Sequence, residues 1–256
     1  MNAITATAPR QNWRMAFVLG GAAALSVLAV IPYMLELLPA EQRAQLPPMA
    51  VVVPLQLLQS FVLLTLMAWA GLRLGERNGL DAPLLRVWLG GGRSAPSATW
   101  WRDALLGGLL ALLAAVLVVA LLDPLLPTPR GDTPPAPTPL QGFFASFYGS
   151  IAEELQLRLF LMSLLAWLLA RAGLARDRAV PLAIIGAAIV FGAGHLPTAA
   201  QVWPLDTLVV TRTILANALP GLVFGALFWR RGLECAMAAH FLADIGLHVV
   251  APIVAG

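Results

Sequence analysis

Long apolar stretches recur along the whole chain, and most are long enough to cross a membrane as helices. A hydrocarbon layer of ~30 Å takes roughly 20 helical residues. We predict seven spans, at approximately 15–38, 50–72, 103–126, 141–170, 179–198, 207–229 and 232–254. No stretch alternates in the ten-residue pattern of a membrane β-barrel. The pattern therefore predicts an all-α, polytopic transmembrane helix bundle, because helices satisfy their own backbone polar groups in lipid.

The composition agrees with a membrane protein. Of the 256 residues, 59% are hydrophobic and only 11% are charged, whereas an average soluble domain has roughly 25% charged residues. We interpret residues 1–256 as a single membrane-embedded domain, with N-terminal spans in 15–126 and the motifs of interest in 141–250. A proline-rich segment, 127–139, is expected to form an extended loop between the two halves.

The arginines predict the orientation of the chain. All 16 basic residues are arginines, and they cluster in regions that alternate with arginine-poor loops if there are seven spans. The clusters are Arg10 with Arg14, then 73–102, 171–178, and Arg230 with Arg231. The positive-inside rule then predicts a multi-pass protein of the inner (plasma) membrane with a cytoplasmic N terminus. Because these arginines flank spans, we expect the lipid bilayer and no nucleic acid as their partner.

The fourth predicted span carries three charges inside an apolar segment. It contains Glu153, Glu154 and Arg158 in the stretch IAEELQLRLF. Such groups cost roughly 3 kcal/mol each in a membrane and usually serve a function. Glu154 and Arg158 are four residues apart and share a helix face, which predicts a structural ion pair. Glu153 is rotated away and is expected to be free for chemistry. The alternative is a mutually neutralised triad without catalysis.

All 3 histidines lie in the last third of the chain. His195 ends the stretch FGAGH, and Phe191 lies one helical turn before it. His240 and Asp244 are also four apart, in HFLAD on the seventh span. A base and several donors gathered around one water would suit amide hydrolysis. His248 continues this last face and is expected to have a packing or surface role.

The predicted depths of Glu153 and His195 within the membrane disagree. Glu153 lies about 12 residues inward from the outer end of its span, roughly 18 Å along the axis. His195, in contrast, lies near the predicted outer end of the fifth span. A fifth helix that continues past Pro197 toward Trp203 would reconcile the depths, as would a strong tilt or different boundaries.

The three motifs EExxxR, FxxxH and HxxxD, in this order on separate late helices, resemble those of the CPBP family. This family contains the CAAX proteases and the bacteriocin-processing enzymes, also called Abi proteins. The resemblance implies an intramembrane protease in which Glu153 is the general base and His195 helps to hold the attacking water. His240 with Asp244 would stabilise the oxyanion. Glu154, Arg158 and Phe191 would support these residues. Asp244 departs from the eukaryotic and archaeal members, which carry asparagine there.

The sequence leaves alternatives for the cofactor, for the substrate and for the functional class of the protein. The resemblance allows a zinc ion held by Glu153, His195 and His240, whose ligand types are suitable. The chain lacks HExxH, and the chemistry can be written without a metal, so we favour no cofactor. The expected substrate is a membrane protein or peptide, such as a leader peptide, because nothing specifies a prenyl pocket. The alternatives are a proton- or ion-coupled transporter and a catalytically silent membrane scaffold.

Overall fold

The computed structural model describes residues 9–90, 98–130 and 136–255, and this part of the chain is helical with no strand. The helices are α1 Pro9–Leu37, α2 Ala40–Ala44, α3 Met49–Gly75, α4 Pro83–Trp88, α5 Trp100–Leu122, α6 Pro139–Phe147, α7 Ser163–Arg171, α8 Arg176–Gly194, α9 Leu196–Val202, α10 Thr207–Arg231, α11 Leu233–Ile245 and α12 Ala251–Ala255. The predicted all-α fold is confirmed. Residues 131–135 of the predicted proline-rich loop lie outside the described residues.

Within these residues, 6 helices are long and apolar enough to span a membrane. They are Gln11–Leu37, Met49–Asn78, Trp100–Leu125, Arg176–Val202, Thr207–Arg231 and Leu233–Val254. The remaining predicted span, 141–170, lies in a helix that runs without a break from Pro139 to Arg171. This charged helix exceeds the ~20 residues that a span requires, so about seven spans is consistent with the structure.

The charged helix is not α-helical throughout. Two π-helical segments, Tyr148–Glu153 and Leu155–Met162, join α6 to α7. A π-helix is more loosely wound than an α-helix and is frequently found at functional sites. The sequence predicted an ordinary α-helix here, because no residue in this stretch signals the change in hydrogen-bond register.

The charged helix is enclosed by other spans. It packs against α1 and α3 on one side and against α8 and α11 on the other, while α10 packs on both α8 and α5. Leu155, Leu159 and Met162 are fully buried in the core that results. Gly71 of α3 allows close packing there, because a Cβ atom at this position would overlap the backbone of Leu159. Glu154 and Arg158, in the middle of this helix, are therefore shielded from lipid by protein, whereas Glu153 is half-buried.

The arginine-bearing helix ends meet at one end of the bundle. Contacts there join α4 to α1, α8 to the end of α3, and α10 to α5. They are Arg86 to Asn12, Arg176 to Asn78 and Arg231 to Asp103, at 3.2, 2.8 and 2.7 Å. A backbone hydrogen bond from Leu233 to Asp81 brings the start of α11 to the same end. Arg86, Arg176 and Arg231 therefore lie on one side of the bundle. The identity of the membrane and the side on which the N terminus lies remain predictions.

The conflict in depth is reduced by the length of the fifth span. A single helical run extends from Arg176 to Val202, with His195 at the junction of α8 and α9. The helix therefore continues past Pro197, which was the first of the alternatives considered. His195 thus lies before the end of this helical run, which extends beyond the boundary predicted at residue 198.

Candidate active site

Glu154 lies at the centre of the buried polar cluster. Its Oε1 atom is 3.1 Å from Arg158 Nη1 and 2.8 Å from His240 Nδ1. Glu154 is 0% exposed and Arg158 is 1% exposed. The predicted ion pair between Glu154 and Arg158 is confirmed. The contact with His240 was not predicted, because helical spacing identifies neighbours on one helix and not the helix that faces them.

Arg158 is covered by protein on several sides. Its Nη2 atom donates a hydrogen bond of 3.3 Å to the backbone oxygen of Gly221 in α10. The guanidinium also lies over the rings of Phe191 and Phe224, at 4.6 and 5.4 Å from their centroids. Cations are attracted to the faces of aromatic rings, more strongly where water is excluded. Phe191, predicted as a supporting residue, therefore helps to hold the buried charge.

The ring of His240 has a defined orientation. It stacks on Phe224, with centroids 4.4 Å apart and planes 16° apart, and it meets the edge of Phe191 at 5.9 Å. Since a carboxylate accepts hydrogen bonds, Nδ1–H donates to Glu154, which leaves Nε2 facing Asp244 Oδ1 at 3.5 Å. The structure therefore brings the predicted residues His240 and Asp244 together and adds Glu154 on the opposite edge of the ring.

Gly149 allows this close approach. It lies in the first π-helical segment, directly against α11. A Cβ atom at this position would overlap Asp244 Oδ2 and lie 3.2 Å from His240 Nε2. Sequence reasoning missed this residue. The available signal was a small residue four positions before Glu153 in an apolar helix, which is typical of close helix packing in membranes.

His195 is half-buried and has one assigned tautomer. Its Nδ1 atom is 2.9 Å from the backbone oxygen of Phe191. A carbonyl oxygen can only accept, so Nδ1 carries the hydrogen and the lone pair is on Nε2 of the neutral ring. Phe191 touches the rings of both His195 and His240, in edge contacts of 4.9 and 5.9 Å. Phe191 thus lies between the two predicted histidines, and its contacts make both of them part of the same cluster.

Glu153 differs from its neighbour Glu154. It is half-buried, and it makes no hydrogen bond or ion pair with any residue in the described ranges. Its carboxylate is close enough to interact electrostatically with Tyr148, His240 and Asp244. The geometry therefore agrees with the predicted unpaired acid, whose catalytic role remains a prediction.

A tyrosine and the third histidine lie beside the predicted residues. Tyr33 of α1 has its hydroxyl 3.4 Å from His248 Nδ1, and the two rings meet edge-on at 5.6 Å. His248 is also near enough to His195 and His240 for electrostatic interaction. His248 therefore has the expected packing role, in contact with Tyr33 at the edge of the polar cluster. Tyr33 was missed, because a single tyrosine in an N-terminal span is only a weak signal.

The zinc ligands considered from the sequence were Glu153, His195 and His240. Both ring nitrogens of His240 face carboxylates, Glu154 and Asp244. Across residues 9–90, 98–130 and 136–255, no group of three or more His, Cys, Asp or Glu side chains is arranged to hold a metal ion. The donor set is therefore not assembled for zinc, and we derive no chemical step through a metal.

Comparison with known proteins agrees with the motifs. The family model for type II CAAX prenyl endopeptidases, Rce1-like, matches residues 135–246. The matched segment contains the whole predicted set: Glu153, Glu154, Arg158, Phe191, His195, His240 and Asp244. No curated protein and no solved structure matches the chain. The resemblance predicted from the three motifs is confirmed, because residues 135–246 of this multi-pass membrane protein are similar to the Rce1-like family of type II CAAX prenyl endopeptidases.

Proposed function

We propose that this protein hydrolyses a peptide bond in a membrane-associated or leader-peptide substrate, with Glu153 activating the attacking water. The Rce1-like match supports an intramembrane CAAX-type endopeptidase in general. The observation that carries the proposal is that two adjacent acids differ in their burial and in their bonding partners. Glu154 binds Arg158 and His240 and is sealed from solvent. Glu153 is half-buried and unpaired within the described ranges, so it is the acid that can reach a water.

In the first step, Glu153 takes a proton from water while the oxygen attacks the carbonyl carbon of the substrate. His195 Nε2 carries a lone pair, because Nδ1–H is held by the Phe191 carbonyl. This lone pair accepts a hydrogen bond from the second hydrogen of the same water and orients it. When the tetrahedral intermediate collapses, Glu153 returns its proton to the leaving amine nitrogen, so the protons balance.

His240 stabilises the oxyanion that forms at the attacked carbonyl. Glu154 holds Nδ1–H of His240, and in the proposed mechanism a second proton on the ring gives an Nε2–H donor on its other edge. Asp244, 3.5 Å from Nε2, orients this donor when ionised and adds its own O–H when protonated. Three carboxyl groups, on Glu153, Glu154 and Asp244, interact electrostatically with His240, whereas Arg158 pairs with Glu154. A proton on His240 therefore brings the buried charges closer to balance, which lowers the cost of burying them.

The test is cleavage of candidate membrane peptides by purified protein, comparing wild type with Glu153→Gln. This change keeps the size of the side chain and removes its basicity, so we expect at least a ~100-fold loss of turnover, typical of a general base. A matched control is Glu36→Gln, since Glu36 pairs with Arg43 at 3.2 Å near the end of α1. Wild-type activity in well-folded Glu153→Gln would contradict the proposal. Ion flux without any cleavage would indicate the transporter alternative.

A further inference from the structure

A groove of about 460 Å³ lies on the outside of the bundle between α5 and α10. Its walls are apolar, with Leu106 and Leu110 on α5 facing Leu222 and Ala226 on α10. One end is polar and is formed by Asp103, Arg230 and Arg231. Neither Phe224, the residue of α10 that stacks on His240, nor His240 itself lines the groove. It is therefore separate from the candidate active site.

The polar end has an uncompensated positive charge. Arg231 Nε is 2.7 Å from Asp103 Oδ2, so these two charges neutralise each other. Arg230 is exposed and lies 5.9 Å from the ring of Trp229, and it has no acidic partner in the described part of the chain. The groove therefore offers one free guanidinium, held beside an aromatic ring, next to an apolar channel.

The depth of the groove matches the layers of a bilayer. Its polar end lies where the arginine-bearing helix ends meet and where Trp100 begins α5. Arginine and tryptophan are enriched at the membrane–water interface. From this level the groove descends along leucine and alanine side chains toward the middle of the spans. A phospholipid has the same order of groups, with a phosphate at the interface and acyl chains below it.

We propose that this groove binds one anionic glycerophospholipid. Arg230 holds the headgroup phosphate, with Arg231 beside it, and one acyl chain lies between Leu106 and Ala226. A free anion would make no use of the apolar walls. A zwitterionic lipid would leave the charge of Arg230 unmatched, because its own headgroup amine compensates its phosphate. Anionic lipid is thus the occupant that complements both parts of the groove.

The experiment measures lipid binding by native mass spectrometry of the purified protein. It compares phosphatidylglycerol with phosphatidylcholine of identical acyl chains, and it uses the Glu153→Gln variant so that the result does not depend on peptidase activity. Arg230→Gln is expected to weaken phosphatidylglycerol binding about fivefold, as for one arginine near a membrane surface. Binding of phosphatidylcholine should stay unchanged. Ala226→Trp, which fills the apolar part, should weaken both lipids.

The matched control is Arg171→Gln. Arg171 is also exposed at the end of a span and lies over a tryptophan, Trp167, at 5.3 Å, but it does not line the groove. The proposal is overturned if Arg230→Gln binds phosphatidylglycerol as wild type does, or if Arg171→Gln loses as much affinity. It is also overturned if a prenylated peptide displaces the lipid, which would assign the groove to substrate.

Discussion

Arg158→Leu is expected to damage folding far more than Glu153→Gln does. Arg158 is 1% exposed, and its main charged partner, Glu154, is 0% exposed. Removing one member of a buried pair strands the other, at a typical cost of about 3–5 kcal/mol. Here His240 also contacts Glu154, at 2.8 Å, and its protonated form compensates part of the stranded charge. We therefore expect the lower end of this range, about 3 kcal/mol.

The assay is thermal unfolding of each variant in the same detergent. For a chain of this size, about 3 kcal/mol corresponds to a fall in Tm of roughly 6–12 °C. Glu153→Gln should melt near wild type, because Glu153 has no hydrogen bond or ion pair to lose among the residues described. Adding Glu154→Gln to Arg158→Leu should recover part of the stability, since no charge is then stranded. Equal melting temperatures for Arg158→Leu and Glu153→Gln would refute the pairing, as would a double variant less stable than the single one.

Two further predictions concern the geometry of the site and whether its activity depends on a metal. Gly149→Ala should lower turnover at least ~10-fold while substrate affinity changes little, because its methyl group displaces the side chains of Asp244 and His240. Gly21→Ala is the control, since its added methyl group would meet only one side-chain atom, at 3.9 Å, and equal kcat values for the two variants would contradict this reasoning. Activity should survive exhaustive chelation if Glu153 acts as a metal-free base. Elemental analysis that finds about one zinc per chain, lost together with activity in His195→Ala, would overturn that model.

The sequence by itself determined the class of fold and the contacts within single helices. Hydrophobic length alone predicts spans, because the bilayer has a fixed thickness. Spacing of three or four residues identifies side chains that meet on one helix face. For this reason the pair of Glu154 and Arg158, and the approach of His240 to Asp244, follow from helical spacing alone.

Only the tertiary structure decided which helix faces meet and how closely. The contact between Glu154 and His240 joins residues 86 positions apart, and no local spacing predicts it. The same holds for Phe224 stacking on His240 and for Gly149 beneath Asp244. The π-helical segments also rotate the residues of the charged helix relative to an α-helix of the same sequence. The rotation and tilt of each helix are set by packing of the whole bundle, in which many weak contacts act together, so no single motif encodes them.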